Sequence, residues 1–259
     1  MLSNAFRRNG VAILNQDCMQ VLGSLEDGSI DLIVTDPPYT TTPRGNAGNS
    51  GGMLQKKINK DGKVFKHNDI TPPEYANEFY RILKDGSHCY VMTNHIHLIE
   101  FLNTFTDLRS AEEKAKGVKP YGFHFIKSLI WNKGNKIQGQ YYMSQFEYIL
   151  FFRKGRGVKI NNCGTADILD IPNKKTKGAD GKNLHDTEKP VELMKILVEN
   201  SSQLNGIVLD PFAGIGGVPR ACLQSGRRCL ACEIDPTYYE IMTNLVKEEQ
   251  TFEQQEIRQ

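Results

Sequence analysis

The sequence predicts an α/β fold in which helices cover a mostly parallel sheet. Short apolar runs alternate with amphipathic stretches along the chain, the pattern of repeated strand–helix units. Two of those runs end in an acid followed by a stiff or glycine-rich turn, at Asp36 and at Asp210. Sheets of this class bind ligands at the carboxyl ends of their strands. With 259 residues, 39% of them hydrophobic, the chain suits one domain spanning 1–259. No stretch rich in Pro or Ser divides it.

In chain order, the predicted strands are Val11–Leu14, Asp31–Thr35, His88–Met92, His124–Trp131, Tyr148–Arg153, Gly206–Leu209 and Arg228–Cys232. Thr71-Pro-Pro-Glu74 is a capping box, and Ala76, Phe79, Tyr80 and Leu83 follow on one face, so a helix starts there. Asp85-Gly86 ends it and leads into the next strand. A second helix carries Val191, Met194, Leu197 and Val198 on one side, with Glu192, Lys195 and Glu199 facing water. Residues 40–70 and 155–183 show little periodicity and are rich in Gly, Asn, Thr and Lys; loops of that length in a compact domain usually have a function or are disordered.

The formal net charge of +2 is unevenly spread. Arg153–Lys182 holds eight Lys/Arg against three Asp, and residues 40–70 hold six against two. Glu233–Gln259 holds two against seven acids. Such segregation predicts a basic surface for a polyanion opposite an acidic end. The basic segments are also the two loops, which points to nucleic acid, with Lys174, Lys175 and Lys177 as expected phosphate contacts.

No apolar run is long enough for a membrane helix, and Val11–Leu14, behind Arg7 and Arg8, is too short for a secretory signal. A cytoplasmic protein is expected. Six cysteines form no framework and read as free thiols. Cys229 and Cys232 have CxxC spacing, but they sit in an apolar run and read as buried strand residues. No metal-ligand set is visible; His95-Ile-His97 reads as a pair near a strand end.

Residues 206–217 read GIVLDPFAGIGG: a buried strand, an acid, then a glycine turn entering a helix near Val218. Glycines let a ligand approach the backbone. The next strand ends at Glu233, 17 residues beyond Gly216, where an acid can accept both hydroxyls of a ribose. A nicotinamide-dinucleotide site is the natural rival. The turn is Gly214-Ile-Gly216-Gly217 rather than GxGxxG, however, and Asp210 ahead of it can hold a cationic amino group.

Asp31-Leu-Ile-Val-Thr-Asp36-Pro37-Pro38-Tyr39 is the most informative stretch. The prolines stiffen the turn and hold the Asp36 carboxylate, the Pro37 carbonyl and the Tyr39 ring in place. That set suits a planar amine. The exocyclic amine of adenine or cytosine is a poor nucleophile because its lone pair is delocalised into the ring. Two acceptors on its hydrogens favour a pyramidal nitrogen, and Tyr39 can stack on the base.

With these residues in view, the chain resembles the amino-methyltransferases of DNA in the β-group order, catalytic motif before cofactor motif. Asp36-Pro-Pro-Tyr39 is similar to the catalytic motif, and Asp210-Pro-Phe-Ala-Gly-Ile-Gly216 to the cofactor loop FxGxG. His185-Asp-Thr-Glu-Lys-Pro190 is similar to the segment that helps bind the methionine moiety. Leu14-Asn-Gln-Asp17-Cys18 matches the element whose acid lies near the cofactor adenine. Trp131-Asn-Lys133 and Glu147-Tyr-Ile-Leu-Phe-Phe152 match later strands.

The resemblance implies a Rossmann-like, circularly permuted fold with a seven-stranded sheet and one antiparallel strand, Val11–Leu14 lying beside the strand that ends at Glu233. It implies S-adenosylmethionine as cofactor and flipping of a base from duplex DNA. The implied catalytic residues are Asp36, Pro37, Pro38 and Tyr39. The implied cofactor contacts are Asp17, Asp36, Lys189, Asp210, Phe212, Ala213, Gly214, Gly216 and Glu233. Asp at the first motif position leans toward adenine N6 over cytosine N4. The interval between Phe152 and His185 holds only about thirty residues, too few for a full recognition domain. Recognition is then shared with residues 40–70, supplied by a second subunit of a homodimer, or limited to a short site; a cognate restriction enzyme is a partner the resemblance admits without requiring. The rivals are an amino-methyltransferase of RNA or protein, and a DNA-binding module that has lost catalysis. The intact Asp36 and glycine loop disfavour the latter.

Overall fold

The computed structural model describes residues 4–38, 70–137, 141–185 and 187–256. Tyr39 and residues 40–69 of the first basic segment lie outside them. The strands among these residues are β1 (Phe6–Arg8), β2 (Val11–Asn15), β3 (Ile30–Thr35), β4 (Leu83–Thr93), β5 (His124–Ile137), β6 (Ser144–Arg153), β7 (Ile168–Asp170), β8 (Ile207–Asp210) and β9 (Arg228–Glu233). The helices are α1 (Cys18–Gly23), α2 (Pro72–Ile82), α3 (Leu98–Thr106), α4 (Ala111–Ala115), α5 (Val191–Ser201), α6 (Gly217–Ser225), α7 (Pro236–Glu248) and α8 (Phe252–Glu256). No described helix is long and apolar enough to cross a membrane.

All the strands join one sheet in the order β1-β2-β9-β8-β3-β4-β6-β5-β7. From β2 to β4 the neighbours are parallel. Strand β6 runs antiparallel to both β4 and β5. These are the seven expected strands with their one reversed member, and β2 pairs with β9 from Val11↔Cys229 to Asn15↔Glu233. Two strands of three residues were not expected: β1, antiparallel to β2, and β7, parallel to β5. Three residues are too few to show a period.

Alternation along each strand sends side chains to two cores, one on each face. In β3, Leu32 and Val34 join a cluster with Leu193, Leu197 and Val218 beneath α5 and α6. Ile33 joins the other, with Tyr75, Phe79 and Phe105 of α2 and α3. Cys229 and Cys232 are buried thiols of β9, as read from the sequence. The helix α2 begins at the expected box: the Glu74 carboxylate accepts the Thr71 N–H and hydroxyl at 2.6 and 2.7 Å. It ends sooner than the sequence suggests. Strand β4 starts at Leu83, and the Asp85-Gly86 turn (Gly86 φ +82°) is a bulge in its pairing with β3.

The second basic segment, 155–183, is not a free loop. Leu169 and Ile171 are buried, β7 closes the sheet edge, and the Ile171 carbonyl accepts the Trp131 indole N–H at 2.8 Å. Asn161 donates to the Glu199 and Ser202 carbonyls around the end of α5.

Candidate active site

Two neighbouring parallel strands deliver both acids to the same sheet end. Strand β3 pairs with β8 through Leu32↔Val208 and Ile33↔Leu209, so Asp36 and Asp210 follow side by side. The buried Thr35 hydroxyl donates to Asp210 Oδ1 at 2.8 Å and joins the two turns. At the other end of β3, Asp31 accepts the Ile207 N–H at 2.8 Å and fixes the register.

Lys189 donates to Asp36 Oδ2. Asp36 Oδ1 is buried with no hydrogen-bond partner among the described residues. Burial raises the Asp36 carboxyl above its ordinary range, against the pull of Lys189. Lys189 also stands 3.6 Å from Glu147 Oε2, and Lys133 donates to Glu147 Oε1 at 2.5 Å. Burial works to raise Glu147, but the two lysines outweigh it and hold the carboxyl low.

Asp210 is buried and also accepts the Phe212 N–H at 3.2 Å. Loss of water raises its carboxyl to about 7, against those two hydrogen bonds. Gly214 and Gly216 take φ of +53° and +92°, and a Cβ at Gly216 would lie 2.8 Å from Met242 Cγ; only glycine makes this turn without strain. Glu233 spans it, accepting the Gly214 N–H and the Asp235 N–H at 2.9 Å each. A carboxylate has further lone pairs for ligand hydroxyls. Burial raises Glu233 against those two backbone bonds.

Asp17 caps α1, its Oδ1 accepting the Met19 N–H at 2.8 Å, one strand over from Glu233. Phe212 packs edge-on to Tyr75 at 5.3 Å. The buried Ala213 gives its N–H to the Cys232 carbonyl. Pro37 is buried and Pro38 half-buried. His185 lies against the glycine turn and packs on Tyr238 at 4.4 Å. Burial, with Lys189 and Lys175 nearby, lowers its pKa to about 4.

Two of the expected lysines have partners within the protein. Lys189, expected at the cofactor, has its ammonium on Asp36. Lys175, expected on phosphate, is half-buried and donates to the Glu188 carbonyl at 2.5 Å; burial beside Lys189 lowers its pKa to about 8. Glu188 in turn accepts the Thr176 N–H and hydroxyl at 2.6 Å. Lys174 and Lys177 remain exposed. Lys133 and Glu147, which the sequence shows only as strand residues, join the site as well. Their signal was charge inside otherwise apolar runs.

An α/β sheet with an acid, a stiff proline turn and a glycine turn at adjoining strand ends is the architecture of Rossmann-like methyltransferases. The chain belongs to the DNA methylase family that groups N6 and N4 enzymes, whose sequence pattern matches residues 30–244. It is 28% identical over 223 residues to YubD of Escherichia coli (strain K12), which carries the name methylase, covering 86% of this chain and 84% of YubD. TTHA0409 of Thermus thermophilus, solved with S-adenosyl-L-methionine, has a TM-score of 0.60 and 21% identity, over 91% of this chain and 93% of that one. The PvuII DNA methyltransferase, cytosine-N4-specific, has a TM-score of 0.64 and 15% identity, over 92% and 90%.

Proposed function

We propose that this chain methylates the exocyclic N6 of adenine in duplex DNA, with S-adenosylmethionine as methyl donor and the target base turned out of the helix. One observation carries the reading: the Asp36 carboxylate, held at a strand end through Oδ2, keeps a buried Oδ1 without a hydrogen-bond partner among the described residues. A buried acceptor left unpaired is costly, and an amine N–H satisfies it. The Pro37 carbonyl is the second acceptor in this proposal, and Tyr39 the stacking partner. Together they hold the amine with its lone pair directed outward.

The residues around the glycine turn fit the cofactor. Asp210 takes its cationic amino group, Glu233 the ribose hydroxyls, and Asp17 and Phe212 flank the adenine side. Gly214 and Gly216, with the backbone at Ala213, let the ligand lie close to the chain. Bound S-adenosylmethionine supplies an electrophilic methyl on a cationic sulfur. The protein contributes position and charge, from which most of the acceleration in such transfers comes. Exposed Lys174 and Lys177, with residues 40–69, are the proposed DNA contacts.

N4 of cytosine is the second reading, since the same two acceptors grip that amine. Labelled methyl transfer to duplex DNA, followed by mass analysis of the nucleosides, tests both. N6-methyladenine supports the proposal, and N4-methylcytosine alone selects the second reading. Label in RNA or protein but not in DNA overturns both.

A further inference from the structure

A chain of alternating charge runs away from the catalytic acid. Asp36 meets Lys189, Lys189 stands 3.6 Å from Glu147, and Glu147 accepts from Lys133 at 2.5 Å. The four come from the turn after β3, the segment before α5, and strands β6 and β5. Their side chains are 23, 10, 19 and 9% exposed in that order. Exposed ion pairs form readily and contribute little, but charges withdrawn from water persist only when closely matched. Glu147 Oε2 is moreover buried without a hydrogen bond among the described residues, so its geometry serves the charge of Lys189 rather than a bonded framework.

We infer that Glu147 and Lys133 are positioning residues for methyl transfer, acting through Lys189 to balance the charge beside Asp36 and keep its Oδ1 available to the substrate amine. The inference rests on the reading that Asp36 grips that amine. Lys189 alone would draw the Asp36 charge into a closed pair and weaken Oδ1 as an acceptor. Glu147 draws the ammonium from the other side, and Lys133 neutralises Glu147 so that a second negative charge does not protonate Asp36. The directions agree: burial and Glu147 raise the Asp36 carboxyl, and Lys189 and Lys133 lower it. Other elements present Asp210 from β8 and the buried phenol of Tyr75 from α2 to Asp36. Lys175, after β7, acts on Lys189, Glu147 and Lys133.

The test compares Glu147→Gln, Lys133→Met and the double variant. Two readouts are taken: the carbon-13 carboxyl titration of Asp36 in the ligand-free protein, assigned with Asp36→Asn, and the acid limb of the methyl-transfer rate. Activity needs ionised Asp36 and is lost as pH falls through its pKa. Glu147→Gln should move both readouts to lower pH, and Lys133→Met to higher pH, by about one unit each. The double variant should titrate near wild type. Methyl transfer with the Asp36 titration unmoved, or moved the same way by both single changes, overturns this inference alone. Single variants that unfold beside a folded double variant, or a set that unfolds together, assign the pair to folding and overturn it too. Wild-type protein that transfers no methyl group overturns the proposed function, and this inference with it.

Discussion

The two oxygens of Asp36 are in different situations, one ion-paired to Lys189 and one without a partner among the described residues. Asp36→Ala should therefore lower methyl transfer about 100-fold or more while leaving cofactor affinity within a few-fold. A binding isotherm for S-adenosylmethionine beside a rate assay checks this, and lost binding would move Asp36 to the cofactor. Asp210 behaves differently. Its folded pKa of about 7 lies above the ordinary carboxyl value of 3.8, so the fold favours the protonated form. That stabilisation is complete at low pH and is lost as pH rises through about 7. Asp210→Asn keeps a neutral acceptor for Thr35 and Phe212. It should raise the melting temperature by about 3 °C or more at pH 8, leave it unchanged near pH 4, and weaken cofactor binding. A gain of the same size at both pH values would refute the buried-charge explanation. Glu233→Ala should weaken cofactor binding by about 1–3 kcal/mol, read by calorimetry.

Among the elements, the central strands were legible because parallel strands buried on both faces are continuous apolar runs. Asp36 and Asp210 were legible because each closes such a run with a turn of distinctive chemistry. The three-residue β1 and β7 were not. Neither was the Asp36–Lys189–Glu147–Lys133 chain, since residues 36, 133, 147 and 189 meet only when β5 and β6 form their hairpin beside β4. Segment 155–183 was only partly legible for a related reason: its lysines look alike in sequence, yet Lys175 is bonded inward and Lys174 and Lys177 are exposed. Lys174→Gln with Lys177→Gln should lower the slope of log binding constant against log salt by about two. Lys175→Gln should leave that slope and instead loosen the Glu188 segment, seen as a lower melting temperature. At the N-cap of α6, Gly216→Ala meets both a left-handed φ and Met242. It should cost about 1–2 kcal/mol in stability, measured by denaturant unfolding.

On the scale of the whole molecule, one sheet separates two cores and brings distant stretches to one end. The site is stitched by the Thr35–Asp210 and Asp36–Lys189 contacts, separated by 175 and 153 residues in sequence. One flank of that end joins β2 to β9, where Asn15 lies opposite Glu233. Contacts of such long range form late in folding, because the chain entropy lost in closing them comes before any gain. On the ribosome this ordering becomes a matter of timing. Asp36 emerges early, but β3 has no β8 and β2 has no β9 until the last quarter of the chain is made. A nascent chain arrested before Gly206 would hold Asp36 beside β4 but without β8 and the glycine turn that follows it. Competence to modify DNA would then arrive in a single late step, with closure of the sheet.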